Sequence, residues 1–387
     1  MFQVHIKSIH QDIIKIRHSI HSCPELKYEE HETAKLVVQT LKKFGYDNIT
    51  TQIAGTGVSV ILDSGKPGKT VALRADMDAL PMTELTSLSY CSKHHNKMHA
   101  CGHDGHTATL LAAASALKQN ADKFKGKIKF IFQPAEEGGL GALEMIKAGI
   151  LENPKVDAIF GYHNLPSEFG KVGIRAGCLL SGVDFFSIKI TGKGGHAAMP
   201  HLCVDPILVG SAIVQSLQSI ASRFMPTADL FVLSVTQFHG GTAPAIIPDD
   251  VTLGGTMRTM SPQVREIALK HFYRIIEGVA QSYSANVEID IKLSVPATVN
   301  TLLETQLVEK TATELFGKNN VVQFEQPLMF AEDFSFFLEK VPGCYFTVGN
   351  GEKSHGLHTP LYDFQDDIIP IAASLLAQTA VNYLNQD

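Results

Sequence analysis

The chain has 387 residues, of which 44% are hydrophobic, and a formal net charge of −6. This length exceeds one typical domain, so we expect two. The mild, interspersed charge argues against a nucleic-acid partner, and no apolar run is long enough to span a membrane. The six scattered cysteines and an N-terminus without a secretory apolar core predict reduced thiols and a cytoplasmic protein.

The first part of the chain alternates helices with strands. Apolar residues at helical spacing predict a helix through 9–20, and further helices are expected over 30–44 and 107–118. Hydrophobic runs predict strands over 70–74, 127–132 and 156–160. This alternation continues to about Gly177 and predicts a largely parallel sheet with helices on both faces.

The pattern changes near residue 183. Strands are predicted over 183–190, 230–237, 251–259 and 286–293, with helices over 206–222 and 264–284. This strand–helix–strand–strand–helix–strand order is that of a ferredoxin-like α+β sandwich. Because alternating helices and strands resume after Pro296, we predict a catalytic domain over 1–180 and 297–387, split by a small inserted domain over 181–296.

The segment 98–106 concentrates groups that bind metals. It holds one thiol, three imidazoles and a carboxylate, interrupted by two glycines. Cys101 and His103 are two residues apart, so they share a face of extended backbone, and Gly102 allows that backbone to bend closely. A thiolate with an imidazole suits zinc, manganese, cobalt or nickel. The motif alone is equally compatible with a His-rich surface loop beside a buried cysteine.

Polar clusters also follow four predicted strands. Asp76 and Asp78 follow the strand 70–74, Glu136 and Glu137 follow 127–132, and His163 follows 156–160. A fourth cluster, with His358, comes after the predicted strand 344–349. Ligands bind beyond the carboxyl ends of strands in open α/β sheets. Five such clusters, counting 98–106, predict one shared site.

On these residues the chain resembles the aminoacylase/carboxypeptidase family of co-catalytic metallopeptidases. The resemblance covers nearly the whole chain and rests on motifs at 73–81, 98–106, 132–139, 161–166, 192–198 and 331–334. The branch that it resembles most contains hippurate hydrolases, other N-acyl-L-amino-acid amidohydrolases, indole-acetyl-amino-acid hydrolases and N-acetyldiaminopimelate deacetylases. It implies a mostly parallel-sheet catalytic domain, an inserted lid and dimerisation domain, a homodimer, and hydrolysis of N-acyl-L-amino acids.

The resemblance also implies roles for individual residues. Cys101 would bridge two divalent ions, manganese or zinc, with cobalt or nickel also suitable. The other implied metal ligands are His103, Glu137, His163 and His358. Glu136 would be the general base that activates a water molecule, and Asp78 would orient a ligand. The neighbouring histidines His99 and His106 are interpreted as supporting residues instead of ligands.

Two candidates lie in the inserted domain. His196 would contact the substrate carbonyl oxygen, often in the site of a partner subunit. Arg258 is either an exposed strand charge or a bidentate partner of the substrate carboxylate. Ala245 and Phe330 depart from the family pattern, where Asn and Gly are usual, and this leaves detailed specificity open.

Two other functions remain as alternatives. A dipeptidase or aminopeptidase could use the same two-metal scaffold, but the sequence has no evident extra acidic cluster for a free substrate amine. A catalytically silent metal- or ligand-binding protein is the alternative from another class. The presence of Glu136 and Asp78 argues against it.

Overall fold

A computed structural model describes residues 2–386, apart from the side chain of Leu293. The chain forms two compact units. The first unit holds the described residues up to Leu179, then 299–326, and then those from Asp333 onward. The second unit holds 180–298 and 327–332.

The first unit begins with two helices and continues as a mixture of strands and helices. Its elements up to the second unit are α1 (Phe2–Ser22), α2 (His31–Lys43), β1 (Thr50–Ile53), β2 (Gly57–Asp63), β3 (Thr70–Asp76), α3 (His103–Lys118), β4 (Lys127–Gln133), α4 (Glu136–Gly139), α5 (Gly141–Lys147), β5 (Ala158–Leu165), β6 (Val172–Ile174) and β7 (Gly177–Leu180).

The elements of the second unit come next, and the chain then returns to the first unit. The elements are β8 (Gly182–Thr191), β9 (Gly195–His196), α6 (Pro206–Leu217), β10 (Phe231–His239), β11 (Ile246–Ile247), β12 (Asp250–Thr259), α7 (Pro262–Ser282), β13 (Asn286–Val295), β14 (Thr298–Asn300), α8 (Leu302–Phe316), β15 (Val321–Gln323), α9 (Ser335–Leu338), β16 (Gly343–Gly349) and α10 (Ile369–Leu384).

An eight-stranded sheet organises the first unit. Its strand order is β1-β2-β4-β3-β5-β16-β6-β15. The central strands β4, β3, β5 and β16 run parallel, whereas β1 and β2 add antiparallel strands at one edge. Every residue of β3, β5 and β16 is buried, as expected for strands covered on both faces. The predicted mixed α/β fold with a mostly parallel sheet is confirmed.

Helix α3 is buried along almost its whole length. All its residues from His103 to Leu117 are buried, and its alanines and leucines pack in the same hydrophobic core as residues of α1 and α10. Alanine-rich helix surfaces allow close packing with neighbouring elements, which holds the N-terminal turn of α3 in place. Within residues 2–386, no helix is both long and apolar enough to cross a membrane.

The second unit contains a four-stranded antiparallel sheet with the order β10-β12-β8-β13. The four strands of this sheet and helices α6 and α7 follow the predicted strand–helix–strand–strand–helix–strand order, while the short strands β9 and β11 form a separate two-stranded sheet. The core between α6, α7 and the sheet includes Phe186, Ile213 and Phe272.

Several predicted boundaries were wrong. The strand predicted to end at Phe160 continues as β5 to Leu165, because parallel pairing with β16 extends along this stretch. His163 therefore lies inside a strand. Helix α3 begins at His103 instead of Thr107, and α6 ends at Leu217 before a separate π-helical turn. The antiparallel strands β1 and β2 were not predicted.

Candidate metal centre

The predicted polar clusters meet within the first unit. Asp78 lies just beyond β3, Glu136 starts the short turn after β4, and His163 lies in β5. Cys101 precedes α3, and the backbone N–H of His358 donates to the carbonyl of Ala100 at 2.8 Å, which fixes the His358 loop beside the Cys101 segment. Long-range folding thus assembles residues that are more than two hundred positions apart in sequence.

The five predicted ligands form two overlapping groups. Donor atoms of Cys101, His103 and His163 all lie within 4.8 Å of one another, and so do donor atoms of Cys101, Glu137 and His358. The Cys101 thiol is common to both groups. This geometry would allow one sulfur to contact two neighbouring ions.

His103 has one ring nitrogen that is committed and one that is not. Its Nδ1 lies 3.2 Å from Asp78 Oδ1, to which it donates. Its Nε2 is buried and has no hydrogen-bond partner among residues 2–386. A buried polar atom without a partner is costly unless something else satisfies it. A metal ion would satisfy Nε2, and Asp78 would then fix the orientation of the ring.

Both ring nitrogens of His163 have partners. Its Nδ1 donates to the backbone carbonyl of Asn164 at 2.7 Å, so Nε2 carries the lone pair. That Nε2 lies 3.3 Å from Cys101 Sγ. This tautomer leaves Nε2 unprotonated, as metal binding by an imidazole requires.

Gly102 brings the backbone unusually close to neighbouring side chains. Its φ of 95° lies in the left-handed region, and a Cβ atom there would clash with the Asn164 side chain and the Tyr362 hydroxyl. Glycine adopts this conformation without the cost that other residues incur. The position between Cys101 and His103 therefore requires glycine on both conformational and steric grounds.

The electrostatics of the centre favour a positive charge. Burial and the nearby Glu137 and Glu136 carboxylates raise the pKa of the Cys101 thiol well above its ordinary value. Burial lowers the pKa of His103, but Asp76 and Asp78 outweigh burial and raise it to about 10. A site that stabilises an extra proton among thiol, imidazole and carboxylate groups is chemically suited to a cation, whose binding would displace that proton. The donor set thus fits a divalent transition metal.

Glu136 and Glu137 point to different partners although they are adjacent. Glu137 Oε1 lies 3.1 Å from His358 Nε2, and its backbone N–H donates to Asp78 Oδ2 at 2.9 Å. Glu136 Oε1 instead accepts from the backbone N–H of Asp333 at 3.3 Å. Burial raises the pKa of Glu137, but His358 and His103 outweigh burial and lower it. The two carboxylates therefore have different hydrogen-bond and ion-pair partners, although donor atoms of both lie within 4.8 Å of each other and of His103.

The supporting contacts around the centre involve Asp76 and His106, which the sequence analysis placed near the site, and also Arg74 and Asp333, to which it gave no individual role. The guanidinium of Arg74 contacts Asp76 Oδ2 at 2.6 Å and Asp333 Oδ1 at 3.1 Å, and all three side chains are buried. His106 Nδ1 lies 2.7 Å from Asp76 Oδ1, and His106 Nε2 lies 2.7 Å from Asn164 Oδ1. For Arg74 and Asp333, the sequence signal is their place as charged residues within the motifs 73–81 and 331–334.

The two remaining candidates lie in the second unit. His196 is exposed on β9, and its Nδ1 accepts from the backbone N–H of Ala198 at 3.1 Å. Arg258 is half-buried on β12 and donates to Ser181 Oγ at 3.4 Å. Ala245 is exposed, and its carbonyl accepts from the N–H of Ala197 at 3.0 Å. These contacts leave the substrate roles of His196 and Arg258 as predictions.

Comparison with known proteins gives a consistent family relationship. Hippurate hydrolase of Campylobacter jejuni is 41% identical, with 96% of each chain covered. N-acetyl-L-cysteine deacetylase of Bacillus subtilis is 37% identical and covers 99% of this chain and 91% of its own. The crystal structure of the YXEP protein of Bacillus subtilis, a dinuclear metal-binding peptidase from the M20 family, superposes with a TM-score of 0.87 at 32% identity, covering 98% of this chain and 99% of its own. The model of peptidase family M20/M25/M40 matches residues 72–382, and the chain belongs to that family.

Proposed function

We propose that this protein hydrolyses the amide bond of N-acyl-L-amino acids and releases a carboxylic acid and a free amino acid. The observation that carries the proposal is the pair of overlapping ligand groups that share Cys101, with Glu136 beside them. The relationship to a hippurate hydrolase and an N-acetyl-L-cysteine deacetylase supports the substrate class.

The ligand set proposed for two divalent ions is Cys101, His103, Glu137, His163 and His358. When bound, such ions lower the pKa of a water molecule and polarise a carbonyl group. Manganese and zinc are our first choices, and cobalt or nickel would also suit the mixed sulfur, nitrogen and oxygen donors. Asp78 holds the ring of His103 through Nδ1 and the backbone of Glu137 through its N–H.

Glu136 is the proposed proton carrier. It takes a proton from the attacking water and delivers it to the nitrogen of the leaving amine. Its hydrogen bond from the Asp333 backbone holds the carboxylate in one orientation, while Arg74 and Gln133 hold the Asp333 side chain. Proton transfer depends on such positioning because the carboxylate must reach both the water and the amine.

The second unit supplies the proposed substrate contacts. His196 donates to the carbonyl oxygen as negative charge develops there, and Arg258 binds the substrate carboxylate through its planar guanidinium. We also propose a homodimer, because β10 is an edge strand of its sheet and exposes Val232 and Phe238. A cytoplasmic location agrees with six cysteines that form no disulfide, all within the described residues.

A substrate panel tests the function. The protein is loaded with Mn²⁺ or Zn²⁺ and incubated with acetyl-, benzoyl- and longer-chain acyl amino acids and with dipeptides, and amine release is measured. We expect cleavage of acyl amino acids and slower cleavage of dipeptides that carry a free amine. A preference for such dipeptides would favour the aminopeptidase alternative. Metal binding without any turnover would favour the silent binding protein.

A further inference from the structure

The connector between α1 and α2 contacts the two loops that carry Asp78 and Glu136. In this connector (residues 23–30), the carbonyl of Glu25 accepts from the N–H of Ala79 at 2.8 Å. The hydroxyl of Tyr28 donates to the carbonyl of Gly139 at 2.6 Å. The connector therefore contacts the loop after β3 and the turn after β4, although the mechanism above assigns it no role.

Glu30 makes the most buried of these contacts. Its side chain is fully buried, and Oε1 accepts from the backbone N–H groups of Tyr28 and Ala135, both at 2.9 Å. Its Oε2 is hydrogen-bonded to the hydroxyl of Thr56. Both carboxylate oxygens are thus engaged, and one of them reaches the residue that directly precedes Glu136.

Ala135 is the position where this contact matters. It is buried with a φ of 54°, in the left-handed region that residues other than glycine seldom adopt. This conformation turns the chain sharply between β4 and Glu136. If the Glu30 carboxylate were removed, the buried N–H of Ala135 would lose its hydrogen-bond acceptor, and the backbone could relax out of this conformation. The relaxed chain would carry Glu136 and Glu137 away from the other site residues.

We infer that Glu30 is a positioning residue, which sets the geometry of Glu136 and Glu137 through Ala135. The hydrogen bonds described for its side chain go to Tyr28, Thr56 and Ala135, and not to the proposed ligands or the proton carrier. The expected effect of Glu30 on turnover rests on the proposed function. Its expected effect on metal affinity follows from the geometry of Glu137 alone.

Three variants of the metal-loaded protein test the inference. Glu30→Ala should lower kcat by about 100-fold, the effect expected from a small misplacement of a catalytic group, with KM largely unchanged. It should also weaken Mn²⁺ or Zn²⁺ affinity by roughly 10- to 100-fold, as loss of a group that supports a ligand does. Glu30→Gln should stay near wild type in both, because its amide oxygen can accept the same two N–H groups. Should Glu30→Ala fail to fold, Glu30→Asp, whose acceptor is one methylene shorter, should still lower kcat by about tenfold.

Glu25→Ala is the matched control on the same connector. The Glu25 carboxylate accepts from the N–H groups of Glu32 and Thr33 at the start of α2, away from the turn after β4. Its loss should lower the melting temperature but leave kcat and metal affinity unchanged.

Three outcomes would overturn the inference. One is wild-type kcat and metal affinity in Glu30→Ala or, if that variant does not fold, in Glu30→Asp. The second is an equal loss of kcat and affinity in Glu25→Ala, which would indicate general destabilisation. The third is a loss in Glu30→Gln as large as that in Glu30→Ala. If the wild-type protein cleaves no acyl amino acid, the proposed function fails, but the metal affinities of the same variants still decide the role of Glu30.

Discussion

The buried histidines beside the candidate metal centre and His196 of the second unit lie in contrasting environments. In the first unit, His103, His106 and His163 are buried, and each ring contacts a carboxylate or an amide oxygen. In the second unit, His196 is exposed. The hydrogen bond described for its side chain comes from the backbone N–H of Ala198. Buried, oriented rings suit metal binding, but burial is not common to every proposed ligand, because the His358 side chain is 53% exposed. The exposed ring of His196 is available to a substrate. Metal binding by the buried rings and substrate contact by His196 remain the predictions that this contrast supports.

Arg74 of the first unit and Arg258 of the second unit also differ in burial and in their partners. Arg74 in the first unit is buried between Asp76 and Asp333, so its charge is neutralised within the protein. Arg258 in the second unit is half-buried and donates to a neutral hydroxyl, and burial lowers its pKa. A buried ion pair supports structure around the site, whereas a guanidinium beside a neutral partner retains the charge that a substrate carboxylate would complement.

Replacement of the shared thiol should give the largest effect. Cys101→Ala removes the donor common to both ligand groups, so we expect bound metal to fall and turnover to be abolished. Elemental analysis and amine release would measure the two quantities. Cys344→Ala is the matched control, because Cys344 is also a buried cysteine, in β16, but belongs to none of the donor groups found within residues 2–386. It should cost stability through a cavity and keep its metal. Full metal content and activity in Cys101→Ala would remove this residue from the site.

Loss of the exposed histidine should give the next largest effect. One lost donor to a developing oxyanion typically lowers kcat by about 100- to 1,000-fold. We expect His196→Ala to show a decrease of this order with normal metal content. The nearby His201→Ala is a control, since His201 is also an exposed histidine of the second unit. A normal kcat in His196→Ala would show that this histidine has no catalytic role.

If His196 acts in a partner's site, inactive subunits should complement one another. Mixing His196→Ala with an inactive Cys101→Ala protein should then restore part of the activity after subunit exchange. Absence of any recovery, despite demonstrated exchange, would place His196 in the site of its own chain.

A pH-dependent change in stability should be the smallest effect. Burial lowers the pKa of His21, but its contacts with Asp104 and Glu84 outweigh burial and raise it to about 9. Because this value exceeds the ordinary ~6.5 of an unfolded histidine, the contribution is fully present below about pH 6.5 and is lost as the pH rises through about 9. The shift corresponds to about 3 kcal/mol.

Urea unfolding of wild type and His21→Asn at pH 6 and pH 9.5 would measure this contribution. The difference in unfolding free energy between the two proteins should shrink at the higher pH. Other groups that titrate in this range, such as Lys129, are common to both proteins and cancel in the difference. An equal difference at both pH values would contradict the assignment.

Much of this organisation could be predicted from the sequence because its signals are local. Helical and strand periodicity predicted the order of the elements, and short motifs predicted that Cys101, His103 and Glu137 would share a site. Strand ends were less predictable, because pairing with a distant strand extended β5 past Phe160. Positions such as His163 therefore needed the folded sheet to be placed correctly.

The supporting contacts could not be predicted, because they join residues far apart in sequence. Glu30 and Ala135 are 105 positions apart, and Arg74 and Asp333 are 259 apart. The sequence pattern of Glu30 is that of an ordinary helix N-terminus. Only the folded chain shows that its carboxylate accepts a hydrogen bond from the residue before Glu136.

The central claim is that the adjacent Glu136 and Glu137 have separate roles at a two-metal centre. It is tested most directly by measuring bound metal and kcat together in Glu136→Gln and Glu137→Gln. We predict that Glu136→Gln keeps its metal while kcat falls by about 100- to 10,000-fold, the usual contribution of general acid–base catalysis. Glu137→Gln should instead lose metal, since a neutral amide is a poorer ligand than a carboxylate. Metal loss in Glu136→Gln with retention in Glu137→Gln would reverse the roles, and full activity in both variants would contradict the amidohydrolase account.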